Sequence, residues 1–263
     1  MLKVFLSIII ILIGGSKLNL SVVENKIIKI PSYFTGFVFF ILCFPLLFST
    51  DNWQILTLLL LMIYGYQEII KMNDLHIQKI RFFNVGFIFG LISILNIHGF
   101  ILYPCILISL IYYGQFNWKN FVIVFLGLIY PLAFYYTLKY LEFKHIDYLY
   151  QSIKYSQLSD IFYQYSEFLF INIILIIFSL YELYINYQKK KEVGKKGLNI
   201  LFGLTIIITL YSIVSQYFEL FLLLIIPNSI IISNYLLYTK FKLVRTFLLG
   251  LFIILLMINS FYL

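Results

Sequence analysis

The sequence predicts an all-α bundle of about ten transmembrane helices, in one integral membrane domain covering residues 1–263. Hydrophobic residues make up 62% of the chain and charged residues only 11%. That leaves too little polar surface to coat a soluble protein of this size. Apolar segments of about 15 to 20 residues alternate with short charged loops, as in membrane helices rather than barrel strands. The apolar segments are therefore predicted to be surrounded by lipid.

The first apolar segment, Leu2–Ile13, is followed by Gly14, Gly15, Ser16 and Lys17. At about 1.5 Å per residue it falls short of a bilayer, so a short or partial helix is predicted. The other predicted spans are Ser32–Phe48, Trp53–Tyr66, Phe82–His98, Gly99–Tyr113, Phe121–Tyr140, Phe168–Tyr187, Leu198–Val214, Leu220–Tyr238 and Thr246–Leu263. Several have only about 14 to 17 residues, as expected of tilted half-spans or of hairpins that dip into the membrane and return.

The one long polar interruption is Glu142–Glu167. Ile146, Leu149 and Ile153 lie at helical spacing on one face, and charged residues occupy the other. This pattern predicts an amphipathic helix on the outer membrane interface, since the segment is too polar to cross the bilayer.

Lysine and arginine predict the orientation. Assigned to alternate sides of the spans, 15 of the 19 basic residues fall on one side. They are Lys17, Lys26, Lys29, Lys71, Lys79, Arg81, Lys119, Lys189, Lys190, Lys191, Lys195, Lys196, Lys240, Lys242 and Arg245. The positive-inside rule makes that side cytoplasmic, so both termini and residues 142–167 are predicted to be extracytoplasmic in a bacterial inner membrane.

The basic residues suit a membrane surface better than a nucleic acid, because they are scattered through short loops and not gathered in one soluble module. Membrane lipids are thus predicted partners and nucleic acid is not. The densest run, Gln188–Gly197, is interpreted as a stop-transfer signal, with a regulatory or lipid-specific site as the alternative.

Polar residues inside the predicted spans concentrate in the last third of the chain. Thr205, Thr209, Ser212 and Gln216 recur at i, i+4, i+7 and i+11, which places them on one helix face. Hydrogen bonds that hold the bundle together would explain such a face. A substrate or ion path is the alternative.

The next span contains Asn228 and Ser229 directly after Pro227, near its midpoint. A proline frees a carbonyl, which neighbouring polar side chains can satisfy or which can coordinate a solute. Glu182 is the one acid well inside a predicted span and is a functional candidate for that reason. It lies five residues before Tyr187 and seven before Lys189, so pairing at the interface is the other interpretation.

Two small-residue patterns predict packing. Gly86 and Gly90 form a GxxxG sequence, which permits close approach of another helix. Cys43 and Cys105 lie in apolar segments with no ligand-spaced His or acid nearby, so they are expected to be packing residues and no metal site is predicted.

The candidate catalytic groups lie on the predicted outer face. An enzyme acting on lipid-linked phosphates would need a carboxylate as base or as ligand of a divalent cation, with cations near the phosphate. Asp51, Asp147 and His145 are the candidate catalytic residues, with the two aspartates as the carboxylates. Lys144 and Lys154 are the candidates for binding the phosphate headgroup. Solvated loop charges without a common site are the alternative.

Three motifs carry a family resemblance: FNVGFIFGLISIL, FNWKN and GLIYP, all within Arg81–Leu141. That segment resembles the central part of an uncharacterised family, a domain of unknown function, of bacterial polytopic inner-membrane proteins. The resemblance extends from Tyr33 to the C-terminus. Relatives begin with an additional hydrophobic stretch, so Leu2–Ile13 is expected to be a shortened start.

The layout is more distantly similar to membrane glycosyltransferases that use polyprenyl-phosphate sugars and to envelope-polysaccharide polymerases. In those transferases an acid in the first outward loop is catalytic, and here Asp51, in STDNW, is the only acid of that loop. Their paired acidic signature is absent. The similarity implies a role in cell-envelope biogenesis and a polyprenyl-phosphate-linked substrate. A non-enzymatic scaffold subunit and a small-solute transporter are the alternatives.

Overall fold

The computed structural model describes residues 2–28, 30, 32–47, 53–72, 78–141, 166–215, 218–239, 243, 245–250 and 253–254. Throughout those residues the regular structure is helical and no strand occurs, which confirms the all-α class. The α-helices are α1 Leu2–Glu24, α2 Phe34–Cys43, α3 Trp53–Lys71, α4 Gln78–Leu95, α5 Tyr103–Tyr112, α6 Trp118–Tyr140, α7 Ser166–Asn186, α8 Glu192–Ser215 and α9 Ile225–Tyr238. The described residues also include 3₁₀ segments at Phe44–Leu47, Ile97–Leu102, Tyr187–Lys189 and Phe218–Leu224, and residues 245–250 are helical.

Four helices of the described part are long and apolar enough to cross a membrane. They are Phe5–Glu24, Trp118–Tyr140, Glu192–Ser212 and Phe221–Tyr238. This indicates a membrane protein, with fewer such helices than the ten predicted. Part of the difference is length, since α2 and α5 have only 10 residues each.

The first helix is longer than predicted. It runs over 23 residues, Leu2–Glu24, and therefore passes through Gly14, Gly15 and Lys17 without a break. The glycines allow close packing there and do not end the helix. A Cβ added to Gly15 would lie 3.1 Å from the carbonyl oxygen of Gly36 in α2. The predicted stop after Ile13 was wrong.

Helix α1 ends in a Schellman turn. The Ile27 amide donates to the Val22 carbonyl at 3.0 Å, and the Lys26 amide donates to the Val23 carbonyl at 3.1 Å. The turn places Lys26 in the left-handed region, with φ 53°. Ile27 and Val22 are both buried, which is the apolar contact that accompanies this turn.

The chain divides into two compact units. Unit 1 is Met1–Leu56, Lys154–Leu198 and Leu224–Leu263, and unit 2 is Thr57–Ile153 and Asn199–Leu223. In unit 1, α2 packs against α1 and α9, and α9 packs against α7. The most extensive helix pair of unit 2 is α4 with α6.

Glycines hold α4 and α6 together in unit 2, as the GxxxG pattern predicts. A Cβ on Gly86 would collide with the carbonyl oxygen of Val124, and one on Gly90 would lie 2.5 Å from Pro131 Cγ. From the other side, a Cβ on Gly127 would collide with the carbonyl oxygen of Phe83. The close approach predicted for Gly86 and Gly90 is thus confirmed.

The predicted packing role of the cysteines also agrees with the structure. Cys43 and Cys105 are both buried and neither forms a disulfide.

Candidate functional site

Unit 1 contains a group of buried polar side chains, here called the polar cluster. Its members are Asn19 of α1, Thr35 of α2, Lys190 between α7 and α8, and Ser233 and Asn234 of α9. Each is at most 9% exposed. Buried polar groups are costly unless hydrogen-bonded, so their partners decide what the cluster can do.

Lys190 is the charged member. Its Nζ donates to the carbonyl oxygen of Ile27 at 2.8 Å and to Asn234 Oδ1 at 2.7 Å. The Tyr238 ring centre lies 5.4 Å from the same nitrogen, within cation–π range. An isolated ammonium would be strongly disfavoured in such a place, and these contacts offset that cost.

The backbone around Lys190 explains how a lysine of a basic loop becomes buried. A short 3₁₀ turn ends α7, and Lys190 follows in an extended conformation with ψ 151°. The first turn of α8 then packs on the end of α1, where a Cβ on Gly194 would lie 2.6 Å from the Lys26 carbonyl oxygen. Only glycine permits that approach, which holds Lys190 close to the Ile27 carbonyl.

Asn234 has its orientation set by the lysine. An ammonium group only donates hydrogen bonds, so the amide atom that faces it is the oxygen. The amide nitrogen, Nδ2, is then left buried with no hydrogen-bond partner among the described residues. A buried unsatisfied donor costs about 1–3 kcal/mol, so Nδ2 marks a position where an acceptor would be stabilising.

The remaining members connect α9 to α2 and α1. Thr35 Oγ1 and Ser233 Oγ are 3.1 Å apart, and Ser233 also donates to the Ile230 carbonyl at 2.9 Å. Thr35 is therefore the donor of the first bond. Asn19 Cβ lies 3.7 Å from the position of a Cβ on Gly36, the residue after Thr35. Thr35 and Ser233 thus link α2 to α9, and Asn19 of α1 packs against α2 at the residue after Thr35.

Further cations surround Lys190. The basic end of unit 1 is defined here as Lys26, Lys189, Lys190, Lys191, Lys195 and Arg245. Lys189 and Lys191 flank Lys190 in sequence, and Lys26 precedes Ile27, whose carbonyl accepts from Lys190. Lys195 donates to Gln188 Oε1 at 3.3 Å, and Arg245 donates to the Leu236 carbonyl near the end of α9 at 3.0 Å. Lys26, Lys189 and Lys191 are exposed.

Glu182 lies near this end. Its Oε1 accepts a bond from Asn186 Nδ2 at 2.7 Å, and Asn186 Oδ1 accepts from Lys189 Nζ at 3.0 Å. The side chain is half-buried. Glu182 and Lys189 are therefore linked through Asn186.

The predicted polar face of α8 makes its bonds within its own helix. Thr205 donates to the Phe202 carbonyl, Thr209 to the Thr205 carbonyl and Ser212 to the Ile208 carbonyl, each at 2.7 Å. Of these three hydroxyls only that of Ser212 is on a fully buried side chain. Such bonds to the preceding turn satisfy a hydroxyl without a second helix.

Pro227 lies just after a change of helix type. The 3₁₀ segment Phe218–Leu224 is unusually long at seven residues, and the α-helix begins at Ile225. Pro227 therefore sits in the first turn, where proline is tolerated. Ser229 is buried and donates to the Ile226 carbonyl at 2.7 Å, and Asn228 is half-buried.

Asp51, Lys144, His145, Asp147 and Lys154 lie outside the described residues. So do Gln216 and almost all of the predicted amphipathic helix, residues 142–165. Among the residues that the structure does describe, no group of three or more His, Cys, Asp and Glu could hold a metal ion.

A protein-family model matches residues 2–263 of the chain. The chain belongs to the family of unknown function DUF6427. This confirms membership of an uncharacterised family, and the match begins before Tyr33, where the resemblance seen in the sequence began. No curated protein and no solved structure matches the chain.

Sequence reasoning missed Lys190, Thr35 and Asn19 as members of a site. Lys190 is one of three consecutive lysines, and nothing in that run distinguishes the buried one from its exposed neighbours. A usable signal was Asn234, an amide one turn beyond Ser229 in an apolar helix, because such a group requires a partner.

Proposed function

We propose that the protein binds a phosphate-bearing lipid at the basic end of unit 1. The observation that carries this proposal is the exposure of Lys26, Lys189 and Lys191 around the buried Lys190. Beside them, α1 exposes large apolar side chains such as Leu20, which suit an acyl chain. The exposed lysines would thus bind the phosphate headgroup, and the exposed apolar side chains of α1 would contact the acyl chain. By the positive-inside rule this end faces the cytoplasm of a bacterial inner membrane.

The test uses the full chain in a neutral detergent. Short-chain phosphatidic acid is titrated against the protein, and bound lipid is counted by native mass spectrometry, with phosphatidylcholine as the zwitterionic comparison. Each lysine near an anionic lipid contributes about 1 kcal/mol. The triple variant K26Q/K189Q/K191Q should therefore bind phosphatidic acid on the order of 100-fold more weakly.

A matched variant loses three positive charges elsewhere. K71Q/K119Q/K139Q changes lysines of unit 2 and should bind nearly as tightly as the unchanged protein. An equal loss in both triple variants would show that net charge alone attracts the lipid, and would reject a site at the basic end.

The finer proposal concerns the substrate and the reaction. We take the reaction to be glycosyl transfer from a polyprenyl-phosphate-linked sugar in cell-envelope biogenesis, on the outer face and with a lipid molecule separate from the one bound at the basic end. An acceptor hydroxyl attacks the anomeric carbon, the bond from that carbon to the phosphate oxygen breaks, and the lipid phosphate leaves. Asp51 takes the hydroxyl proton, directly or with a divalent cation, while Asp147 and His145 assist and Lys144 and Lys154 stabilise the phosphate. Support comes from the residue types and from the similarity of layout.

Asp51→Asn tests the transfer step, because it removes the charge with little change in volume. Incorporation of labelled sugar by membranes that contain the protein should be abolished, while its amount in the membrane is unchanged. Unchanged incorporation would remove the transferase hypothesis and leave the scaffold subunit in its place. Uptake of labelled solute by protein-containing vesicles, without incorporation, would favour the transporter.

A further inference from the structure

We propose that α6 carries the surface of unit 2 that contacts the acyl chains of the bilayer, on the face turned away from α4. This outward face consists of exposed side chains: Phe125, Leu126, Ile129, Tyr130, Phe134 and Tyr136. The proposal goes beyond the lipid binding at the basic end, because it concerns unit 2 and the surrounding bilayer, and neither proposal requires the other.

The two faces of α6 differ in residue size. Gly127 lies on the face that packs on α4, where an added Cβ would collide with the Phe83 carbonyl oxygen. The outward face has bulky side chains, with Ala133 as its small exception. Helix contacts within membranes favour small residues, since these let two backbones approach closely. The face suited to a neighbouring helix is therefore the one that α4 already occupies, and the bulky face suits lipid.

The distribution of charge along α6 matches the depth of a bilayer. No charged residue lies between Lys119 and Lys139. Trp118 and Tyr140, which adjoin these lysines at the two ends of the helix, are both exposed. Tryptophan and tyrosine prefer the headgroup level. At about 1.5 Å per residue, the helix covers about 33 Å between them, slightly more than the roughly 30 Å of the hydrocarbon core. One membrane interface is therefore assigned to each end of α6.

The lipid-contacting surface continues from α6 onto α4. The ring centre of Tyr130 lies 6.3 Å from that of Phe83 and 6.2 Å from that of Phe87. Phe83 is exposed and Phe87 is half-buried. The three rings therefore form one aromatic patch across both helices.

The hydroxyl of Tyr130 opposes a lipid neighbour, because acyl chains offer it no hydrogen bond. Tyr130 lies near the middle of α6, about 18 Å along the helix from Trp118, too far for its ring to reach a headgroup. A second copy of the chain could bond to the hydroxyl there. The bulky residues of the outward face favour lipid, and the hydroxyl allows the two occupants to be separated by experiment.

Tryptophan fluorescence in vesicles measures the contact. The chain has two tryptophans, so Trp53→Phe leaves Trp118 as the single reporter. The full chain is reconstituted in phosphatidylcholine whose acyl chains are brominated either near the headgroup or near the chain end, since bromine quenches tryptophan on contact. We expect Trp118 to be quenched more by the shallow bromines. The reverse order would place Trp118 inside the hydrocarbon and overturn the assigned interfaces.

Three variants place the single tryptophan elsewhere on α6, in the W53F/W118F background. Tyr130→Trp and Tyr136→Trp report on the outward face. Tyr135→Trp is the matched control, because Tyr135 is 8% exposed and the adjacent Tyr136 is 62% exposed at nearly the same depth. The outward reporters should lose most of their fluorescence, with Tyr130→Trp most sensitive to the deep bromines, and Tyr135→Trp should lose little. The exposed positions accept the larger ring, so they decide the result even if Tyr135→Trp does not fold.

Outward reporters that stay bright in both brominated lipids would show that the face is covered, and would overturn the proposal. Tyr130→Phe gives a second measurement. With lipid as the neighbour it should leave the free energy of unfolding unchanged or raise it, whereas a lower value would show that the hydroxyl bonds to another chain and would also overturn the proposal. The K26Q/K189Q/K191Q variant should give the same quenching pattern, which keeps this test separate from that of lipid binding at the basic end.

Discussion

The contact between α4 and α6 gives the sharpest test of the fold. In Gly86→Ala, the new methyl group would collide with the Val124 carbonyl oxygen and would lie 2.9 Å from Val124 C and 3.0 Å from Leu128 N. All three atoms belong to the backbone of α6, so no side chain rotation can relieve the clash. The helices must separate, which also opens the neighbouring contact at Gly90. Overpacking of this kind costs about 1–3 kcal/mol, and the rigid backbone places this site near the upper value.

Gly203→Ala is the matched control for the intrinsic preference of a helix for alanine. Gly203 lies in α8 with nothing within 4 Å of an added Cβ. That change should stabilise the protein by about 0.5–1 kcal/mol. Equilibrium unfolding of the purified full chain with SDS in mixed micelles would measure both free energies, and we expect them to differ by about 3 kcal/mol. If Gly86→Ala were as stable as Gly203→Ala, the backbone contact between α4 and α6 would be incorrect.

Three further predictions concern the basic end and the topology. Lys26→Gly should stabilise the protein by about 1 kcal/mol, because glycine adopts the positive φ of this position without strain; Lys26→Gln, which keeps the strain, should give no such gain in the same unfolding assay. Reporter fusions after Lys191 should be active on the cytoplasmic side and a fusion after Lys154 on the external side, and the reverse pattern would overturn the orientation. Single cysteines through residues 142–165 should react with a membrane-impermeant reagent in a helical period, whereas uniform labelling would exclude an amphipathic helix there.

Much of the fold could be predicted because lipid imposes few solutions on a backbone. A chain rich in Ile, Leu and Phe must satisfy its backbone polar groups internally, and helices do so within one segment. The glycine pattern at Gly86 and Gly90 was equally informative, since two glycines on one helix face indicate the close approach of another helix. Both predictions depended only on local sequence and were confirmed.

The errors arose where tertiary contacts override local sequence. Gly14 and Gly15 suggested the end of a helix, yet the approach of Gly36 gives Gly15 a packing role and α1 continues to Glu24. The glycine pair suited either a helix end or a close helix contact, and a contact distant in sequence selected between them.

The candidate site was harder to predict than the fold for the same reason. Lys190 and Asn234 are separated by 44 residues, and Lys190 and Ile27 by 163. No periodicity connects such positions. The sequence showed that the segment Gln188–Gly197 was basic, and only the structure showed which of its lysines enters the interior.

The basic residues of unit 1 stabilise the C-terminal ends of its helices, in addition to predicting the orientation of the chain in the membrane. A helix leaves its last four carbonyls without intrahelical partners, and a nearby cation is favourable by about 0.3–1 kcal/mol. Arg245 supplies this at α9, and Lys190 bonds to the carbonyl of Ile27, directly beyond the Schellman turn of α1. Lys26 lies in that same turn, where it accepts a left-handed conformation that glycine would adopt at lower cost. A lysine at this position makes sense if its charge is needed, either at the helix end or against a lipid phosphate. Charge-removing variants at the basic end should therefore be judged by lipid binding and by the free energy of unfolding together, because the same cation contributes to both.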